Sequence, residues 1–131
     1  MWDLDDEALY FKLIDVSIPH AFTWGNGDRG KREAIRSAVA PWFPRSVPEA
    51  RWWAFRLYAR KAGCHGFDVE NIPKLIVDAF ARDQITRDGS TYAALAIYDD
   101  DDICSVRMVQ VAGEPSERDD STVIQIYGRR A

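Results

Sequence analysis

Hydrophobic and polar residues alternate with a period of two in several segments of the chain, which is the pattern of a half-buried strand. Residues 51–61 show this pattern most clearly, because Trp53, Phe55 and Leu57 fall on one face and basic or aromatic residues fall on the other. The last two such segments are joined by the polar loop 113–121, an arrangement typical of a hairpin. The strands predicted in this way are residues 10–18, 51–61, 91–98, 103–111 and 122–127.

A period of three to four residues predicts two helices between these strands. The first spans residues 29–43, and the second begins near Asn71, a favoured capping residue, and ends near Asp83. The resulting order is βαβαβββ. It predicts an α/β (α+β) fold in one domain, residues 1–131, with a mixed sheet and two helices packed on it. Residues 1–9 are expected to form a flexible acidic N-terminal extension.

Length and composition favour a globular protein, with 131 residues and a hydrophobic content of 47%. The longest stretch without a formal charge has about 12 residues, which is too short to span a bilayer. The acidic N-terminus does not resemble a secretion signal, so a cytoplasmic location is the default expectation. Cys64 and His65 suggest zinc, but ordinary structural roles are favoured because the chain has one other cysteine and one other histidine.

Positive charge is concentrated in one part of an acidic chain. The net charge is −4, yet residues 29–61 contain nine Lys or Arg and two acids. This segregation favours phosphate binding, although solvated helix and strand faces remain an equally good explanation. The aromatic and basic face of the 51–61 strand is either a nucleic-acid or subunit contact surface, or a face covered by a helix. The candidate nucleic-acid-binding residues are Lys31, Arg32, Arg36, Arg56 and Arg60.

Two acidic clusters carry the strongest chemical signal. Asp68 and Glu70 precede the second helix, with Lys74 one turn beyond Glu70, and a run of four aspartates, residues 99–102, follows about thirty residues later. Carboxylates beside a cation favour a Mg²⁺ site that acts on an anionic substrate. Two simpler interpretations stay open: an ion pair between Lys74 and Asp78, and a solvated turn at the aspartate run.

The stretch D-V-E-N-I-P-K at residues 68–74, followed by an apolar helix containing D-A-F and then by an Asp-Asp pair before Ile103, resembles the RusA-type Holliday junction resolvases. The resemblance covers residues 68 to about 110, roughly a third of the chain. Glu70 stands where that family usually has Asp, and about a dozen extra residues separate the helix from the Asp pair.

The resemblance implies a Mg²⁺-dependent endodeoxyribonuclease that resolves four-way DNA junctions in recombination and repair. Mn²⁺ is a possible substitute, because the side chain of Glu70 is longer than that of Asp and Mg²⁺ tolerates displacement of a ligand poorly. It implies a homodimer, because a two-fold symmetric junction needs two nicks. Asp68, Glu70 and Asp100 would ligate the metal, with Asp101 and Asp102 as less favoured substitutes, and Lys74 would complete the catalytic set. The alternative is a catalytically weak or inactive RusA-like module that binds nucleic acid or protein.

Overall fold

A mixed four-stranded sheet organises the chain in a computed structural model that describes residues 2–23, 25–63 and 66–131. The predicted α+β class with a mixed sheet is confirmed. The observed order is βαβααββ. The strands are β1 (Tyr10–Ile18), β2 (Trp53–Ala62), β3 (Val106–Ser116) and β4 (Ser121–Arg129), and the helices are α1 (Asp28–Val39), α2 (Ile72–Ala79) and α3 (Arg82–Asp88), with short 3₁₀ turns at Ala40–Trp42, Val69–Asn71 and Ala93–Leu95.

The sheet order is β1-β4-β2-β3, so the last two strands flank β2 and do not pair with each other. β3 is parallel to β2, whereas β4 is antiparallel to both β2 and β1. The predicted hairpin is therefore wrong. The loop 117–120 instead crosses the end of β2. Asp120 anchors this crossing, because its carboxylate accepts hydrogen bonds from the Ala62 amide at 2.8 Å and the Lys61 ammonium at 3.2 Å.

The predicted strand at residues 91–98 is also wrong. This segment contains the 3₁₀ turn Ala93–Leu95 and joins no strand of the sheet; Tyr98 makes a single parallel bridge with Ala81. Its backbone pairs instead with the junction between α2 and α3, where the Ile97 amide donates to Phe80 and the Arg82 amide donates to Tyr98. These bonds hold the aspartate run beside the helices.

The single helix predicted for residues 71–83 is two helices, because the backbone becomes extended at Ala81. α2 follows Asn71 as expected, but the Asn71 side chain makes no capping hydrogen bond. Gly89 ends α3 in the left-handed conformation at φ 66°, which glycine adopts without the steric cost that other residues incur.

The main hydrophobic core lies between one face of the sheet and helices α1 and α2. Phe55, Leu57 and Ile126 of the sheet pack there against Ile35 of α1 and Phe80, which directly follows α2, and all five are fully or almost fully buried. None of the helices in the described ranges is long and apolar enough to cross a membrane.

A smaller cluster lies on the opposite face of the sheet, called the helix-free face because none of the described helices packs on it. Leu4 is 2% exposed and packs in this cluster with Tyr10, Trp52, Ala54 and Tyr127. The interpretation of residues 1–9 as a flexible extension is therefore wrong for the described part, because Leu4 is an integral member of the core on this face.

Candidate functional site

The two acidic clusters meet at helix α2. The chain is extended at Asp68, forms the 3₁₀ turn Val69–Asn71 and then enters α2, with Pro73 in a first turn whose amides need no intrahelical partner. This path puts Lys74 on the exposed flank of α2. The ammonium of Lys74 lies 3.2 Å from Asp78 Oδ1 and 3.0 Å from Asp101 Oδ2. The fold thus joins the two halves of the sequence motif.

The Lys74 cluster, defined as Lys74, Asp78 and Asp101, combines a half-exposed cation with two shielded carboxylates. The side chain of Lys74 is 53% exposed, whereas Asp78 and Asp101 are 12% and 27% exposed. Beneath the cluster, the buried hydroxyl of Tyr98 donates a 2.6 Å hydrogen bond to the Val77 carbonyl. The cation can therefore meet an external anion while its carboxylate partners stay largely covered.

Burial and mutual contact separate the proton affinities of the two carboxyl groups. Burial, reinforced by a hydrogen bond with Asp101, raises the pKa of Asp78 to about 6 despite the nearby Lys74. Desolvation also acts on Asp101, but hydrogen bonds with Lys74, Asp78 and Asp100 outweigh it and lower its pKa. Desolvation opposes the charge of Lys74, and the two carboxylates overcome it and raise its pKa. Near neutral pH the cluster holds one fixed cation and two carboxylates, of which Asp78 binds a proton more readily.

The predicted metal ligands are not gathered into one group. Asp68 and Glu70 are exposed and line an open cavity of about 380 Å³ that also contains Lys61 and Glu114. Asp100 is exposed, and its carboxylate accepts a hydrogen bond from the Asp101 amide at 2.8 Å. Within the described ranges, no three His, Cys, Asp or Glu side chains are arranged to hold a metal ion. In this arrangement the residues do not fit a Mg²⁺ site.

Sequence reasoning undervalued two members of the Lys74 cluster. Asp78 was recognisable from its i,i+4 spacing to Lys74, the spacing that places residues together on a helix. Asp101 had no comparable signal, because four consecutive aspartates offer four equivalent choices. The structure distinguishes them: Asp99 pairs with Arg82, Asp102 caps the turn before β3 by accepting from the Cys104 amide, and Asp101 alone in the run contacts Lys74. Cys64 and His65 lie outside the described residues.

The predicted DNA-binding residues of α1 have mainly structural roles. Arg36 is completely buried, donates to the Ala79 carbonyl at 2.7 Å and pairs with Asp88 at 3.0 Å, so the prediction that it binds DNA is wrong. Arg32 makes two hydrogen bonds to Asp88, at 2.7 and 2.8 Å, and its side chain is 11% exposed. Lys31 remains partly accessible, although it donates to the Thr23 carbonyl.

The basic residues of β2 lie on the helix-free face. Arg56, Tyr58 and Arg60 alternate with core residues and point away from the helices. Of the two interpretations that the sequence left open, a face covered by a helix is wrong for the described residues. Their charge is partly balanced locally, since Arg56 pairs with Asp5 at 3.0 Å and Arg60 lies 3.7 Å from Glu114.

Comparisons with known proteins do not assign this chain to a family. No protein-family model matches the chain, and a search of curated proteins gives no significant match. The resemblance to RusA-type resolvases therefore depends on the short sequence motif alone.

Proposed function

We propose that this chain is a RusA-like endodeoxyribonuclease that nicks four-way DNA junctions, and that the Lys74 cluster is the centre of its site. The observation that carries the proposal is the 3.0 Å contact between Lys74 and Asp101. It unites the D-x-E-N-x-x-K stretch with the aspartate run, which are 27 residues apart in sequence at this contact. α3 and the turn that follows it lie between the two segments in the chain, and they do not prevent the contact.

The chain's own residues supply charge and position to this site. The Lys74 ammonium is a compact, half-exposed cation that can donate to a phosphate oxygen and stabilise negative charge that develops there. Asp78 and Asp101 fix its location from two directions. Mg²⁺ would be the added cofactor by resemblance, but the carboxylates are not arranged to hold it, and no step is assigned to it.

The proposal includes a cytoplasmic location and action as a homodimer, because a two-fold symmetric junction needs two nicks. Lys31, Arg56 and Arg60 are the predicted phosphate contacts that keep some exposure. Arg56 and Arg60 lie on the face opposite α2, so they suit contacts away from the nicked bond. Their individual effects on affinity should be modest, because both already have carboxylate partners.

A non-catalytic binding module is the second candidate. The separation of Asp68 and Glu70 from the Lys74 cluster favours it, because a metal-dependent nuclease needs its ligands together. The acidic net charge of −4 points the same way. Both candidates allow junction binding, and they differ in whether a phosphodiester bond is broken.

Nicking of a synthetic four-way junction by the purified protein, with Mg²⁺ or Mn²⁺ added, distinguishes these candidates. We expect nicking by the natural chain and a loss of at least tenfold in rate for Lys74→Ala and Asp101→Asn, with binding retained in a gel-shift assay. Lys12→Ala is the matched control, because Lys12 also pairs with an aspartate, at 3.3 Å, and is 44% exposed. Absence of nicking by the natural chain, with junction binding intact, would establish the binding module instead.

A further inference from the structure

The position of Lys74 explains why the neighbouring carboxylates do not form a metal site. Its ammonium lies between Asp78 and Asp101, at 3.2 and 3.0 Å, and so occupies the place that a bound cation would take. We propose that Lys74 is the resident cation of this carboxylate pair and excludes divalent cations from it in the free protein.

The dimensions of the cluster support this exclusion. Mg²⁺ requires oxygen ligands at about 2.0–2.1 Å, far shorter than the two nitrogen–oxygen distances at Lys74. A cation that approached the same oxygens would meet the repulsion of the ammonium and would have to displace it. The ammonium is also held by covalent attachment to the helix that carries Asp78, so it competes with any external cation at a high effective concentration.

The contacts of Lys74 also join two separate segments of the chain. Asp78 belongs to α2 and Asp101 to the loop before β3, so Lys74 ties the loop to the helix. This inference rests on the proposed function and deepens it by giving the two carboxylates a role. Asp78 and Asp101 hold the Lys74 ammonium in place, and the exposed side of that ammonium is left to meet a DNA phosphate.

Mn²⁺ binding to the full chain tests the inference without an activity assay. The free Mn²⁺ concentration is measured by electron paramagnetic resonance during titration of the natural chain, Lys74→Met and Lys74→Gln. We expect both substitutions to tighten Mn²⁺ binding at least tenfold. Lys12→Met is the control, because it removes a lysine from an Asp15 ion pair with one carboxylate and should leave Mn²⁺ binding unchanged.

A second variant locates the bound ion, since exposed carboxylates elsewhere also attract Mn²⁺. Adding Asp101→Asn to Lys74→Met should abolish the gain in Mn²⁺ affinity, whereas adding Asp83→Asn should preserve that gain. Equal Mn²⁺ affinity in the natural chain and both Lys74 variants would overturn the inference, as would a gain that survives Asp101→Asn. Circular dichroism confirms that each variant is folded, and the half-exposed position of Lys74 makes the substitutions mild.

The result of the Mn²⁺ titrations can be interpreted independently of the nicking assay that tests the proposed function. Failure to nick any junction would reject the nuclease and leave the Mn²⁺ titrations valid. Tight Mn²⁺ binding by the natural chain would reject the exclusion by Lys74 and leave junction nicking to be judged by its own assay.

Discussion

Replacing Asp88 by Asn should destabilise the protein strongly, because this carboxylate neutralises arginines inside the fold. Asp88 lies at the end of α3 and its side chain is 5% exposed. It accepts hydrogen bonds from Arg32, Arg36 and Gln84, and Arg36 is itself fully buried. Asparagine keeps the shape of the side chain but leaves the charge of Arg36 without its main counter-ion.

The magnitude follows from the proton affinity of Asp88. Burial alone would raise its pKa, but hydrogen bonds from Arg32, Gln84 and Arg36 outweigh burial and lower the pKa from 3.8 to about 2. At about 1.36 kcal/mol for each tenfold change in proton affinity, the ionised form is stabilised by roughly 2.5 kcal/mol in the folded state. Loss of one partner of a buried ion pair costs about 3–5 kcal/mol, so we expect a loss of about 3 kcal/mol in the free energy of unfolding.

Urea unfolding at pH 7, followed by circular dichroism, measures this loss. Asp83→Asn is the matched control, because Asp83 is an exposed residue of the same helix, and it should change the free energy by less than about 0.5 kcal/mol. A loss below about 1 kcal/mol for Asp88→Asn would show that water or Glu33, 3.2 Å from Arg36, compensates the arginine instead.

The same variant should remove a specific pH dependence. Because the folded-state pKa of Asp88 is depressed, its contribution is complete above about pH 4 and is lost as the pH falls towards 2. The difference in stability between the natural chain and Asp88→Asn should therefore shrink over that interval. A difference that stays constant from pH 4 to pH 2 would contradict the assignment of the low pKa to Asp88.

Two other substitutions test the packing of the sheet, in urea unfolding at pH 7. Leu4→Ala should lower the free energy of unfolding by about 3 kcal/mol, because Leu4 is 2% exposed in the cluster on the helix-free face. A loss below about 1 kcal/mol would show that residues 2–9 are an extension that does not stabilise the fold. Gly128→Ala should cost about 1–3 kcal/mol, because its methyl group would overlap the ring of Phe11 and crowd that of Trp53. Gly30→Ala, in open space within α1, is the control and should be neutral or stabilising.

The sequence predicted the elements whose periodicity was long and regular. β1 was predicted with its observed bounds, and β2 and α1 within a few residues, because their apolar positions repeat over nine or more residues. The segment at residues 91–98 failed because Ala93, Ala94 and Ala96 interrupt the alternation with small residues that suit several conformations. Its backbone hydrogen-bond partners, Phe80 and Arg82, lie earlier in the sequence and outside this local pattern. Their hydrogen bonds determine the path of the segment.

The sequence predicted only those contacts of the Lys74 cluster that are local in the chain. The i,i+4 geometry of α2 makes the pairing of Lys74 with Asp78 a local property that the sequence contains. The choice of Asp101 among four aspartates depends on how the loop leaves Tyr98, which only the tertiary fold determines. The burial of Arg36 was equally invisible, because its partner Asp88 lies 52 residues away.

The crossing of β2 by the loop 117–120 has a consequence for how the protein is made. β1 lies at the edge of the sheet and pairs with β4, and β4 also pairs with β2. On the ribosome, the first strand must therefore wait until more than a hundred further residues have been synthesised before its neighbour emerges. During that interval the apolar face of β1 is exposed, so we expect nascent chains that stall before residue 121 to bind chaperones or aggregate, whereas chains released beyond residue 129 complete the sheet in one late step.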